Sequence, residues 1–162
     1  MRKFLLYFLL ILALLGAADA GYLLVQTVSG KAVICPNVPI GRFNLNQCNI
    51  VLATPYAKFL GLPVALYGLI AYLLFAILVL EEFVYLFSYS KNIIQKRKWR
   101  TTKILMYLSG AGFLISLYFI YLQLFVIKAL CFYCLLSAII MTLIFALSIV
   151  YNAKYSAEIL GT

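Results

Sequence analysis

Four cysteines carry most of the chemistry this chain can do, and their spacing divides them into two pairs. Cys131 and Cys134 form a Cys-x-x-Cys pair in Lys128-Ala-Leu-Cys131-Phe-Tyr-Cys134-Leu, where the last long apolar run begins. Residues i and i+3 lie on one face of a helix with Cα atoms about 5 Å apart, so this pair can close into a disulfide and open again. In the first turn of a helix Cys131 meets unpaired backbone N–H groups and the positive end of the dipole, and both favour its thiolate. Lys128 adds positive charge nearby. Cys35 and Cys48 are the other two thiols. The absence of histidine excludes His-based triads, His metal ligands and His-ligated haem. Reactivity is left to cysteine, the few acids, Tyr, Ser, Thr and Lys.

The elements that must position these thiols are apolar and long. The 162 residues are 67% hydrophobic and 10% charged, which excludes an ordinary soluble domain. A net charge of +9 on a soluble chain would suggest a nucleic-acid partner, but here the basic residues stand at the ends and between apolar runs, where they act as topology signals. The expected fold is an all-α integral membrane protein, a four-transmembrane-helix bundle in a single domain over residues 1–162. Its spans are expected at about 4–28, 62–80, 104–127 and 130–150. The first run also fits a cleaved signal peptide, with Ala18-Asp-Ala20 as the cleavage pattern, although apolar residues resume at Tyr22. Asp19 within that run is costly unless it faces the bundle or water; it is either a polar packing contact or functional.

Between the first two spans lies a long outer loop over 29–58, rich in Pro and Asn and holding Cys35 and Cys48. A connection of that length reads as a functional lid or shuttle, with short helical turns between Asn46 and Phe59. Pro63 is placed in the first turn of the second span, where a helix accepts it, and Glu81 and Glu82 are placed at its interface end. A basic loop over 88–103, with Lys91, Lys96, Arg97, Lys98, Arg100 and Lys103, follows, and Trp99 is an expected interfacial anchor. Gly110, Gly112 and Ser116 suggest a close helix contact on the third span. With both termini cytoplasmic, nine basic residues fall inside and four (Lys31, Arg42, Lys58, Lys128) outside. All four cysteines then share the outer face, the compartment where disulfides form and persist.

Two pairs on one face, one at a helix start and one on a loop, suit relayed thiol–disulfide exchange through mixed disulfides. The loop pair can meet a soluble thiol protein, and the helix pair can pass electrons to an acceptor dissolved in the bilayer, such as a quinone. Other uses of four thiols are a zinc site, static disulfides or a soft-metal carrier. Zinc favours paired Cys-x-x-Cys knuckles, and here one pair is separated by twelve residues. A carrier would need thiols at mid-membrane or on the inner side.

Three ordered blocks resemble the vitamin K epoxide reductase family in its bacterial and archaeal form. They are Asp19-Ala-Gly-Tyr22-Leu, the stretch from Cys48 through Thr54, Gly61 and Pro63 to Gly68, and Tyr121 through Cys131 and Cys134 to Leu135. The resemblance implies a helical bundle around a quinone of the ubiquinone or menaquinone type. It also implies that Cys35 meets the partner, Cys48 passes electrons to Cys131, and Cys134 stands beside the quinone. Thr54 matches a Ser/Thr placed near the quinone head group; its alternative use is a cap at a helix start before Pro55. Gly61 and Gly68 are expected to serve backbone packing. The sequence departs from the family in having Phe132 where many prokaryotic members have Pro. Val64 and Ala138 stand where the vertebrate enzymes bond vitamin K through Asn and Tyr.

The expectation is an enzyme, a membrane thiol:quinone oxidoreductase of the plasma membrane with its active site on the outer face. It would reoxidise a separate thioredoxin-like (DsbA-like) protein, since no such domain follows Thr162. No metal and no nucleic acid enter this reading. The competing readings are a disulfide oxidase of the DsbB type, whose cysteine layout is the reverse of this one, and a non-enzymatic membrane scaffold with static disulfides.

Overall fold

A computed structural model describes residues 2–37, 39–40, 43–87 and 91–160. Arg42 and the side chains of Arg2, of the basic cluster from Lys91 to Lys98 and of Trp99 lie outside the described residues. Long apolar stretches without an internal helix breaker satisfy every backbone hydrogen bond within themselves, which is the requirement for a chain in lipid. Among the described residues the result is five α-helices: α1 (Arg2–Ser29), α2 (Cys48–Ala53), α3 (Val64–Phe87), α4 (Lys91–Tyr121) and α5 (Phe132–Leu160). Among the described residues, four helical stretches are long and apolar enough to cross a membrane: Lys3–Ser29, Val64–Val84, Arg100–Ile127 and Phe132–Lys154.

Three boundaries differ from the sequence reading. The basic stretch expected to be a loop over 88–103 is helical from Lys91 onward, because Lys, Arg and Gln are good helix formers and continue the helix beyond its apolar part. Pro63 lies in a two-residue strand just before α3 rather than in its first turn. Cys131 likewise precedes α5, which starts at Phe132.

The core is set by small residues on α1 that admit large ones from α3. Gly16 sits over the Tyr72 ring, which a Cβ there would overlap, and Ala13, Ala17 and Ala20 continue the same buried stripe. Phe75 and Val79 of α3 and Ile140, Ile144 and Tyr151 of α5 complete the packing. Gly110 and Gly112 both face α5: an added Cβ at Gly112 would come 2.8 Å from Met141 Sδ, and one at Gly110 3.2 Å from Phe145. Outward-facing Phe4, Ile11, Leu14, Ile77 and Leu114 are exposed, as expected of surface that meets lipid. Glu82, which the sequence placed at an interface, is buried inside the bundle and accepts from Tyr151 Oη at 2.9 Å and Thr102 Oγ1 at 3.4 Å.

Between α1 and α3 the chain makes two small hairpins, β1 (Pro39–Ile40) with β2 (Phe43–Asn44) and β3 (Lys58–Phe59) with β4 (Leu62–Pro63). The second turns at Leu60 and Gly61, both with positive φ (51° and 81°), which fits Gly61 to a turn. α2 and a 3₁₀ turn at Pro55–Ala57 lie between the hairpins.

Candidate functional site

The two cysteine pairs meet because a loop strand and the start of α5 bond through their backbones. Phe132 N–H donates to Leu45 O at 3.2 Å, Gln47 N–H donates to Leu130 O at 3.2 Å, and Asn46 and Cys131 form an antiparallel bridge between them. Cys48 is the next residue, the first of α2, so this bridge delivers it to Cys131. Both are fully buried, in one cluster with Leu23, Val33, Val51 and Ala129. The Phe132 departure has a structural counterpart, since proline has no N–H to donate.

Cys35 is bonded to Cys48 in a disulfide with Cα atoms 6.3 Å apart, within the usual range. The segment leading to Cys35 is pinned from two sides. Asn49 holds Val33 by its amide, accepting from Val33 N at 2.7 Å and donating to Val33 O at 3.3 Å, and Tyr133 Oη donates to Ile34 O at 3.1 Å.

Cys131 and Cys134 are free thiols. Cys131 occupies the capping position ahead of α5, where its sulfur accepts from Cys134 N–H at 3.4 Å. Hydrogen bonding by the Cys134 side chain, opposed by burial and aided by the backbone amides of Cys134 and Tyr133, holds the Cys131 thiol below its ordinary pKa. The helix start thus acts on Cys131 as the sequence reading argued, whereas Lys128, exposed at a left-handed corner (φ 56°), takes no part in that shift.

Two glutamines that sequence reasoning missed hold this corner. α4 ends in a π-helical turn, Leu122–Ile127, a form often found at functional positions. From it, buried Gln123 accepts the Cys131 N–H through Oε1 at 3.0 Å and the Ala129 N–H through its backbone oxygen at 3.2 Å. Gln47 Oε1 accepts from Leu130 N at 3.3 Å. Nothing in the periodicity marks either glutamine; an amide inside an apolar run is the only signal, and Gln123 carries it.

Beside Cys134 opens a cavity of about 240 Å³ between α1, α3, α4, α5 and the 50s segment. Cys134, Thr54, Asp19, Val64, Phe119 and Ala138 are on its wall. Thr54 does not cap the following turn; its hydroxyl donates back to Val51 O at 2.7 Å, which leaves its oxygen lone pairs able to accept and its proton able to be redirected. Val64 and Ala138 reach the cavity with no polar atom in their side chains. Gly68 lies on the wall too, facing Ala20. An apolar cavity of about 150 Å³ holds a benzene ring, so a quinone head group fits this one, with few polar groups to orient it.

The arrangement supports a thiolate attacking a neighbouring disulfide, and a second thiol facing an apolar ligand cavity. Among the described residues no cluster of three or more Cys, Asp or Glu could hold a metal ion. Compared with curated proteins, the chain has no match. The model of the vitamin K epoxide reductase family matches residues 7–149 of the 162. That match reaches into all four apolar helices and takes in both cysteine pairs, so the chain belongs to the vitamin K epoxide reductase family, membrane thiol–disulfide oxidoreductases that act with quinones.

Proposed function

We propose that this protein reoxidises a thioredoxin-like, disulfide-forming partner and passes the electrons to a membrane quinone. The observation that carries the reading is the placement of Cys134. It is a free thiol on the wall of an apolar cavity, three residues from a Cys131 that is buried with the Cys35–Cys48 disulfide.

The chain's own residues divide the work. Cys35, the more accessible member of the loop disulfide, is where the partner's thiolate attacks, releasing Cys48. The partner's second thiol then frees Cys35 and leaves the partner oxidised, while Cys48 attacks Cys131 of an oxidised Cys131–Cys134 pair and releases Cys134. Cys35 in turn attacks Cys48 and releases Cys131. Two electrons have then moved from the loop pair to the helix pair, and Cys35–Cys48 closes again. The combination described here, loop pair bonded and helix pair free, corresponds to that state. Thr54 would orient the quinone by a hydrogen bond to a carbonyl oxygen, and the apolar wall would hold its ring. When bound, the quinone supplies a two-electron, two-proton acceptor for the Cys131–Cys134 dithiol. The charge bias supports an orientation with both termini in the cytoplasm and the four thiols on the outer face of the plasma membrane.

The test is quinone reduction by purified protein, driven by a reduced thioredoxin-like donor, in the parent and in Cys134→Ala. The expected outcome is turnover with ubiquinone or menaquinone in the parent and background in the variant. Equal turnover in the two would overturn the reading. Absence of turnover in the parent, together with thiols that never change state when quinone is added, would favour a scaffold with static disulfides.

A further inference from the structure

We propose that Asp19 is the acid that protonates the quinone as Cys134 reduces it. The inference rests on the quinone reading above and adds a residue outside the four cysteines to the reacting groups.

Closing the Cys131–Cys134 disulfide releases two electrons and two protons. The electrons leave through sulfur, but the hydroquinone forms only when protons arrive at its two oxygens, so the cavity needs a proton donor distinct from Cys134. Most polar groups on the wall are already engaged. The Thr54 hydroxyl donates to Val51 O, Tyr67 Oη to Phe59 O, and Tyr72 Oη is bound to the backbone oxygen and hydroxyl of Ser137 at 3.0 and 2.9 Å. Gln123 Oε1 accepts the Cys131 N–H. Asp19 is the acid of the wall. It is 8% exposed, and neither carboxyl oxygen has a hydrogen-bond partner among the described residues.

Its depth suits the role. The rings of Tyr22 on α1 and Tyr133 on α5 pack at 5.1 Å, which sets those two positions level. Asp19 lies three residues below Tyr22, about 4.5 Å further into the bundle, while Cys134 immediately follows Tyr133. Gly16 against Tyr72 and Gly68 against Ala20 place Asp19 beside the same stretch of α3 that lines the cavity. A ring held against Cys134 therefore has Asp19 about 3 Å deeper, roughly half a helical turn, on the same cavity wall. The titratable groups around it are Tyr72 on α3, Tyr133 and Cys134 on α5, and Cys131 ahead of α5. An ionised carboxylate without a partner is costly in such a wall, whereas a carboxyl that carries its proton can both donate and accept.

In the step, Asp19 in its acid form gives its proton to the nearer quinone oxygen and recovers one from the Cys134 thiol. The proton from Cys131 reaches the other oxygen from the cysteine side of the cavity. Over one turnover the two cysteines lose two electrons and two protons as their S–S bond forms, the quinone gains both to become hydroquinone, and Asp19 ends as it began.

The experiment uses the full chain with its helix pair reduced, mixed with a short-chain ubiquinone analogue. Cys131–Cys134 closure is followed by thiol alkylation, quinone binding by equilibrium dialysis, and the carboxyl carbonyl band by infrared difference spectroscopy. In Asp19→Asn, closure is expected to slow by about 100-fold, at the lower end of general acid catalysis, with the dissociation constant within about threefold and thermal stability retained. Asp19→Glu keeps the carboxyl and is expected to recover at least a tenth of the parental rate. The parent should show a carboxyl band that shifts on quinone binding and is missing in Asp19→Asn, a readout that does not depend on turnover. Parental closure with a normal rate in Asp19→Asn, or a carboxyl band blind to quinone, overturns the acid role alone. No closure in the parent overturns the quinone reading, and this inference with it.

Discussion

Among the described residues two carboxyls are buried in this bundle, one toward each end, and the chain treats them in opposite ways. Glu82 is fully buried and bonded by Tyr151 of α5 and Thr102 of α4. Asp19, toward the cysteine end, has no hydrogen-bond partner among the described residues and borders a cavity. The first is used as a tie between helices, since a buried polar group stabilises only when it is satisfied. The second keeps its hydrogen-bonding capacity for an occupant. The difference separates an end that holds the helices together from an end that works.

Substitutions can break that separation. The largest effect is expected from Cys48→Ser, which removes the thiol delivered to Cys131. Electron transfer from a protein dithiol to quinone should fall by about 1,000-fold or more, as for loss of an activated nucleophile, in a stopped-flow assay. Retention of the parental rate would mean that the partner reaches Cys131 or Cys134 directly. Next, Gln123→Leu leaves the buried Cys131 N–H without its acceptor. A loss of about 1–3 kcal/mol is expected in thermal unfolding, with slower exchange between the two cysteine pairs.

At the opposite end, Tyr151→Phe should cost about 1–2 kcal/mol of stability, because the Glu82 carboxyl loses one donor. The quinone reduction rate is expected to stay within twofold of the parent; a tenfold loss would show that the two ends are coupled. A subtler test concerns pH. The Cys131 thiol is held below its ordinary pKa chiefly by Cys134, so its thiolate, the leaving group when Cys35–Cys48 closes, persists to lower pH and is lost as pH falls through the lowered value. In Cys134→Ser the ultraviolet titration midpoint of the Cys131 thiolate should move upward. The smallest effect is expected from Phe132→Pro. It removes the bond to Leu45 O, worth about 0.5–1.5 kcal/mol, while the first position of a helix accepts proline; hydrogen exchange at Gln47 would report the loosening.

The four apolar runs were legible because a helix in lipid must be long and continuous, which leaves a coarse signal in composition. Gly110 and Gly112 could be read as contact points for the same kind of reason, since a missing side chain next to a large partner leaves a mark. The backbone contacts that bring Cys48 to Cys131 could not be read. Leu45, Asn46 and Gln47 pair with Leu130, Cys131 and Phe132 through main-chain groups, and every residue but proline offers those. The burial of Glu82 was also hidden, because its partners lie 20 and 69 residues away. The helical state of the basic stretch after Lys91 was misread because charge marks where an apolar span stops, while helix propensity decides where the helix does.

The backbone bridge to α5 also bears on how the protein is made. Cys35 and Cys48 are 13 residues apart and can bond as soon as their loop emerges. The contact between Gln47 and Leu130 joins residues 83 apart, so it waits for the last membrane segment to be synthesised and inserted. A half-made chain can therefore carry an oxidised loop while lacking any route onward for electrons. On the proposed relay, completion of the polypeptide is the step that joins the two cysteine pairs.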